Sequence, residues 1–140
     1  MAINLFIDTN IILDIFDNNR NEHKDSFKIF ELIETEIIVG YLAESVLTTT
    51  DYILKKKFSK PQRQSLFKAI NTLFIILPCT NIIFKKAIHT NMDDVEDSIL
   101  YQIAVTNKLD YFVTNDVMFS KRLSSTILPV LTAKDFLKKI

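Results

Sequence analysis

The chain's 140 residues and 48% hydrophobic content suffice to bury about two thirds of the surface the unfolded form would expose, and imply one globular domain over 1–140. Its 17 basic and 17 acidic residues cancel, so global charge neither marks a nucleic-acid binder nor excludes one that uses a local patch and a metal ion. A single glycine, Gly40, rules out the glycine-rich loops of P-loop and dinucleotide-binding folds; a single cysteine, Cys79, in an apolar context, rules out an internal disulfide.

No signal-peptide or membrane-spanning pattern is present, so a reducing cytoplasm is the expected location and no membrane partner is expected. The run from Ile3 to Ile7 is nearly all apolar and ends in Asp8-Thr9-Asn10. A run of that kind reads as a buried strand that delivers Asp8 to its carboxyl tip, where open α/β sheets bind ligands. Asp8 or Asn10 can cap a helix from Ile11 to about Asp17, and a polar turn follows. Between Glu22 and Thr35, Phe27, Phe30 and Ile33 recur at helical spacing. Ile37-Ile38-Val39 reads as a second short strand. Ala43, Val46, Leu47, Thr50, Ile53 and Leu54 then follow the three-four alternation of an amphipathic helix, with Glu44 in its first turn.

Ser59 and Gln62 have the spacing of a capping box, and the helix they open buries Leu66, Phe67, Ile70, Leu73 and Phe74. Ile75-Ile76-Leu77 is a third strand ended by Pro78, and a short helix carries Ile83, Phe84, Ala87 and Ile88. Asp94 is placed to cap a helix from Val95 to about Thr106 that buries Ile99, Leu100 and Ile103, with Asn107 ending it in the left-handed conformation. Tyr111-Phe112-Val113 is a fourth strand. Beyond Asp116 comes a loop or helical turn with Phe119, Lys121 and Arg122. Ile127 to Leu131 is a fifth strand, placed at an edge by Pro129, and Thr132 with Asp135 boxes the last helix. Alternating strands and helices predict right-handed crossovers and a mainly parallel sheet covered on both faces, a three-layer α/β/α arrangement.

Four acids then demand an account: Asp8, Glu44, Asp97 and Asp116. Each has an ordinary reading as a cap, a first-turn acid or a turn residue. In a parallel sheet, however, the ends of the first and fourth strands and the starts of the following helices share one edge. Carboxylates converging there without matching cations repel one another and raise their own pKa values, a conflict that a divalent cation resolves. Oxygen ligands without histidine or cysteine favour hard ions, Mg²⁺ or Mn²⁺, over zinc. His23 and His89 show no ligand spacing.

These residues carry a resemblance. Asp8-Thr9-Asn10-Ile11-Ile12-Leu13-Asp14, Asp94-Val95-Glu96-Asp97-Ser98, Leu109 to Asp116, and Leu128-Pro129-Val130-Leu131-Thr132 with Phe136-Leu137 stand in the order seen in the PIN-domain family, which the chain resembles over essentially its whole length. The length is similar to that of the VapC-like toxins of bacterial toxin–antitoxin pairs. The resemblance implies a sheet ordered three-two-one-four-five and metal-dependent ribonuclease activity. Carried over, Asp8, Glu44, Asp97 and Asp116 match the family's acidic quartet and Thr114 its small hydroxyl residue. Asn10 resembles the residue that hydrogen-bonds within the site, and Asp94 matches an extra acid of some members. Asp14 is expected to face solvent.

The implied chemistry is in-line attack of water on an RNA phosphodiester, with the ion lowering that water's pKa. Asp8 with Asp97 or Asp116 holds the ion; Glu44 helps to hold a second ion or orients the water. Lys121 and Arg122 are the candidate RNA contacts nearest the site. The run Lys55, Lys56, Lys57, Lys60 and Arg63 reads more simply as a solvated face. Phe119 and Tyr101 are candidates for base stacking, against burial in the core. Expected partners are an RNA substrate and a cognate antitoxin, with a homodimer as a further option. A phospho-accepting receiver domain is the rival from another class, but it needs an acceptor aspartate after the third strand, where this chain has Leu77-Pro78-Cys79. A non-catalytic or housekeeping PIN module that binds nucleic acid is the other alternative.

Overall fold

A computed structural model describes residues 2–90, 93–123 and 125–140, with Ser120 described by its backbone alone. The first strand, β1 (Ile3–Ile7), is the middle of a five-stranded sheet. On one side it pairs in parallel with β2 (Ile38–Ala43), which pairs with β3 (Phe74–Leu77); on the other lie β4 (Tyr111–Val113) and β5 (Val130–Leu131). The order is therefore β3-β2-β1-β4-β5, parallel throughout. A central parallel strand is covered on both faces, which is why Leu5, Phe6 and Ile7 are apolar in succession and fully buried.

Eight helices connect and flank these strands among the described residues. They are α1 (Thr9–Phe16), α2 (His23–Glu34), α3 (Glu44–Leu54), α4 (Lys60–Leu73), α5 (Asn81–Ile88), α6 (Val95–Thr106), α7 (Val117–Leu123) and α8 (Ala133–Leu137). None is long and apolar enough to cross a membrane. The core runs through the sheet: Phe6 stacks on Phe112 with centroids 4.9 Å apart, and Phe112 stacks on Phe119 of α7 at 4.5 Å. Tyr101 is buried too, its hydroxyl donating to the Leu128 carbonyl at 2.9 Å. Neither Phe119 nor Tyr101 is open to a base; both are core residues.

Gly40 explains itself by proximity. A Cβ there would lie 2.8 Å from Ile33 Cδ1 and 2.9 Å from the Phe74 ring, so α2 and β3 close on β2 only because that position carries no side chain. The local start signals are used as spelled. Ser59 and Gln62 form the capping box of α4, Asp94 caps α6 by accepting from Asp97 N, and Thr132 caps α8.

The elements depart from expectation in several places. The second strand begins at Ile38 and runs on to Ala43, whose partner is Leu77, while Ile37 is exposed. The fifth strand is only Val130–Leu131. The buried stripe of α2 is Ser26, Ile29 and Ile33, so Phe27 turns outward. Ile83 and Ala87 are the buried pair of α5, leaving Phe84 and Ile88 exposed. Asn107 keeps an ordinary φ and its side chain donates to the Ile103 carbonyl at 2.8 Å; the left-handed residue is Lys108, at φ 55°.

Candidate active site at the carboxyl edge of the sheet

At the tip of β1, Asp8 serves as the N-cap of α1, its Oδ1 accepting from Thr9 N at 2.8 Å. Its other oxygen, Oδ2, accepts from Thr114 Oγ1 at 2.8 Å and from Asn10 Nδ2 at 3.3 Å. Thr114 follows the neighbouring strand β4, so the parallel pairing of β1 with β4 alone brings these residues together across the sequence. Asn10 closes the triangle by donating to Thr114 Oγ1 at 2.9 Å. Thr114 Oγ1 also accepts from Asp116 N at 3.1 Å, and Asp116 Oδ1 accepts from Met118 N at 3.0 Å. Asp116 thereby caps the turn into α7 and remains exposed.

Asp97 stands in the first turn of α6 and faces the same edge. Its carboxyl pKa is pushed up to about 6, first by burial, then by the charges of Asp94, Asp8 and Asp116, with Arg122 opposing. The Arg122 guanidinium lies 3.8 Å from Asp97 Oδ2. Asp8 is likewise held above the usual carboxylate range: burial raises it most and Asp116 adds to this, while the bonds from Thr114, Thr9 and Asn10 work against it. Glu96 is raised by burial, then by Asp94 and Asp8, against a hydrogen bond from Thr49. One acid therefore feels the next around this edge, the signature of like charges held close with too few cations.

Of the residues picked from the sequence, the structure gathers Asp8, Asn10, Thr114, Asp116 and Asp97, with Asp94 beside them as the α6 cap. Glu44 falls differently. It opens α3 on the exposed side of a groove of about 740 Å³ that it shares with Thr49, Leu77, Pro78 and Glu96, and Glu96 is the acid there that senses Asp8. Sequence reasoning passed over Glu96 although it adjoins Asp97. It also misplaced Asp14, which is buried at 3% exposure and paired with Arg20 at 2.6 Å. Its charge is satisfied internally, so it need not face water. Asn115 was not singled out either, yet its backbone N–H donates to Asn10 Oδ1 at 2.8 Å.

Arg122 stands at the acidic edge and Lys121 is exposed on the same helix. In the earlier basic run, Lys55 and Arg63 pair with Asp51, and Lys57 pairs with Asp17. Three of the five charges in that run are therefore paired within the chain. His23 Nδ1 contacts the Asp14 carbonyl at 2.7 Å, away from the acids, and Cys79 is exposed.

The donor set is all carboxylate, which suits a hard divalent ion, and a cation would relieve the repulsion that adds to burial in raising Asp8 and Asp97. Among the described residues no three acidic, histidine or cysteine side chains already stand close enough to enclose an ion.

Comparison with known proteins agrees with this geometry. Ribonuclease VapC1 of Aquifex aeolicus is 29% identical over 140 aligned residues, covering 96% of this chain and 94% of that protein. The crystal structure of VapC20 of Mycobacterium tuberculosis, described as a sarcin-ricin loop cleaving toxin, superposes with a TM-score of 0.68 at 13% identity, over 84% of this chain and 93% of the other. A structure of VapBC2 from Rickettsia felis bound to a promoter DNA fragment gives a TM-score of 0.69 at 15% identity, over 93% and 98% of the two chains. These likenesses establish the fold. The family model for the PIN domain matches residues 4–118, and with the sheet order and the acids at its carboxyl edge this chain belongs to the PIN-domain family.

Proposed function

We propose that the protein is a divalent-metal-dependent endoribonuclease and the toxin of a toxin–antitoxin pair. One observation carries the reading: Asp8 and Asp97, brought to the same sheet edge, both have raised pKa values to which neighbouring carboxylates contribute. Support comes from the curated relative, named a ribonuclease, and from the toxin structure that shares the fold. Asp8, Asp97 and Asp116 would hold Mg²⁺ or Mn²⁺, with Glu44 or Glu96 at the margin. A bound ion of this kind supplies positive charge against that developing on phosphate and makes a water more acidic.

The chain's own groups do the rest. Thr114 and Asn10 fix Asp8 Oδ2 by two hydrogen bonds, so the carboxylate does not rotate freely when substrate arrives. Arg122, 3.8 Å from Asp97, offers a guanidinium to the RNA backbone at the rim, and Lys121 adds a second charge. The likeness to VapBC2 bound to a fragment of its promoter supports a cognate antitoxin as partner.

The test is RNA cleavage by purified protein with Mg²⁺ or Mn²⁺ and with EDTA. Asp8→Asn keeps the shape and removes a charge, so it should lose most of the rate while remaining folded. Cleavage that survives both Asp8→Asn and Asp97→Asn sinks the assignment. Expression of the parent alone should arrest growth of a bacterial host, and Asp8→Asn should not.

A further inference from the structure

Behind the acidic edge lies a second polar cluster. Asp14, on α1, is fully engaged: Arg20 Nε donates to its Oδ1 at 2.6 Å and Asn115 Nδ2 to its Oδ2 at 2.7 Å, with Ser26 Oγ 3.5 Å from the same oxygen. Asn115 is in turn used on every side. Its Oδ1 accepts from Ala133 N at 3.1 Å, its Nδ2 also reaches Ser26 Oγ at 3.3 Å, and its backbone N–H donates to Asn10 Oδ1 at 2.8 Å. Asn10 then donates to Thr114 Oγ1 and to Asp8 Oδ2.

This chain of bonds has a direction. A carboxylate offers only acceptors, whereas a side-chain amide has one accepting and one donating end. Asp14 therefore fixes the Asn115 amide with its nitrogen inward and its oxygen toward the Ala133 N–H. The Asn115 backbone N–H in turn occupies Asn10 Oδ1, which leaves Asn10 only its donor end for Asp8 and Thr114. Neutralising Asp14 would not need Asn115, since Arg20 already does so from a side chain 38% exposed. We infer that Asp14 and Asn115 are positioning residues. Through the donor–acceptor order of this chain they hold the segment from Thr114 to Asp116 against Asp8, in the geometry in which these carboxylates receive a divalent ion. The inference rests on the metal-dependent reading above.

The test exchanges the polarity. Asp14→Asn has one accepting end for two donors: turned to Arg20 Nε it sets its amide nitrogen against that of Asn115, and turned to Asn115 it sets that nitrogen against Arg20. Asn115→Asp sets two carboxylates in contact. The double variant Asp14→Asn with Asn115→Asp restores one donor facing one acceptor, with roles exchanged. Three quantities are measured per folded molecule: Mn²⁺ affinity by electron paramagnetic resonance, and kcat and KM on a single-stranded RNA. Asn115→Asp should lose about 10–100-fold in Mn²⁺ affinity or in kcat, the range found for residues that support metal ligands, with KM for RNA unchanged, and Asp14→Asn should lose less because its oxygen can stay on Asn115. The double variant should recover most of the loss.

An Asn115→Asp variant that keeps the parent's Mn²⁺ affinity and kcat, or that shifts only the melting temperature, overturns the inference; so does a double variant no better than Asn115→Asp. A parent that binds Mn²⁺ but cleaves no RNA overturns the nuclease reading alone, and the pattern of Mn²⁺ affinities then decides the positioning role. A parent that binds no Mn²⁺ overturns both.

Discussion

Replacing Asp97 by asparagine should make the metal-free protein more stable at neutral pH, the reverse of what most substitutions do. The Asp97 carboxyl titrates at about 6 against an ordinary 3.8, through burial first and then the charges of Asp94, Asp8 and Asp116. An acid whose folded-state pKa lies above its unfolded-state value binds its proton more tightly when folded. Its contribution therefore favours folding at low pH and is lost as pH rises from 3.8 through about 6. At about 1.4 kcal/mol per pH unit the full displacement sets a ceiling of about 3 kcal/mol. The side chain is 20% exposed on an open edge, and solvent screening reduces the figure to about 1–2 kcal/mol. Asparagine removes this penalty and keeps the shape. It gives up the distant Arg122 and a first-turn charge worth about 0.3–1 kcal/mol at a helix N-terminus. The net gain of about 1 kcal/mol corresponds to roughly 3–5 °C in Tm for a chain of this size. Thermal or urea unfolding in EDTA reads it at about pH 7, and at about pH 4 the advantage should vanish because Asp97 is then largely protonated in the folded parent. A variant less stable than the parent at neutral pH, or an advantage equal at both pH values, refutes the electrostatic reasoning.

Thr114→Val removes the hydroxyl that donates to Asp8 Oδ2 at 2.8 Å, which should raise the Asp8 pKa further and cost about 1–3 kcal/mol at neutral pH, as for bonds to charged groups. Because the lost bond favours the ionised carboxylate, the deficit should shrink on acidification; urea titrations at two pH values check this, and a deficit independent of pH counts against it. Gly40→Ala drives a methyl to 2.8 Å from Ile33 Cδ1 and should lower stability by about 1–3 kcal/mol through overpacking. Denaturant midpoints measure that cost, and a neutral result would mean α2 moves away from β2 more easily than this packing implies.

What could be read from the sequence was what is written locally. An apolar run that stops at Asp8 announces both the strand and the acid at its tip; Ser59 with Gln62 and Asp94 ahead of Val95 announce helix starts because capping acts over three residues. The sheet order and the meeting of Asp8, Asp97, Asn10 and Thr114 were legible through the family resemblance. Burial of polar residues was not, because it depends on distant partners. Asp14 is inside because Asn115, 101 positions later, meets it there. Ser26 takes a core position on α2 because Asn115 Nδ2 donates to its hydroxyl, and Phe27 is displaced outward as a result. Glu44 and Glu96 look alike as first-turn acids; only the packing of α3 and α6 at the sheet edge shows that both line one groove.

The placement of β1 at the centre of the sheet also governs when the site comes into being during synthesis. The ribosome makes β1 before either of its neighbours, and the hydroxyl that restrains Asp8 belongs to a residue 106 positions further on. A nascent chain can pair β1 with β2 early, but Thr114 and Asp116 are still inside the exit tunnel or unmade. Closing so long a loop is slow compared with local helix formation. The acidic edge is therefore assembled late, and a truncated or stalled chain lacks it. For a protein whose proposed activity destroys RNA, this order of events keeps incomplete copies inert while they remain in contact with the translation machinery.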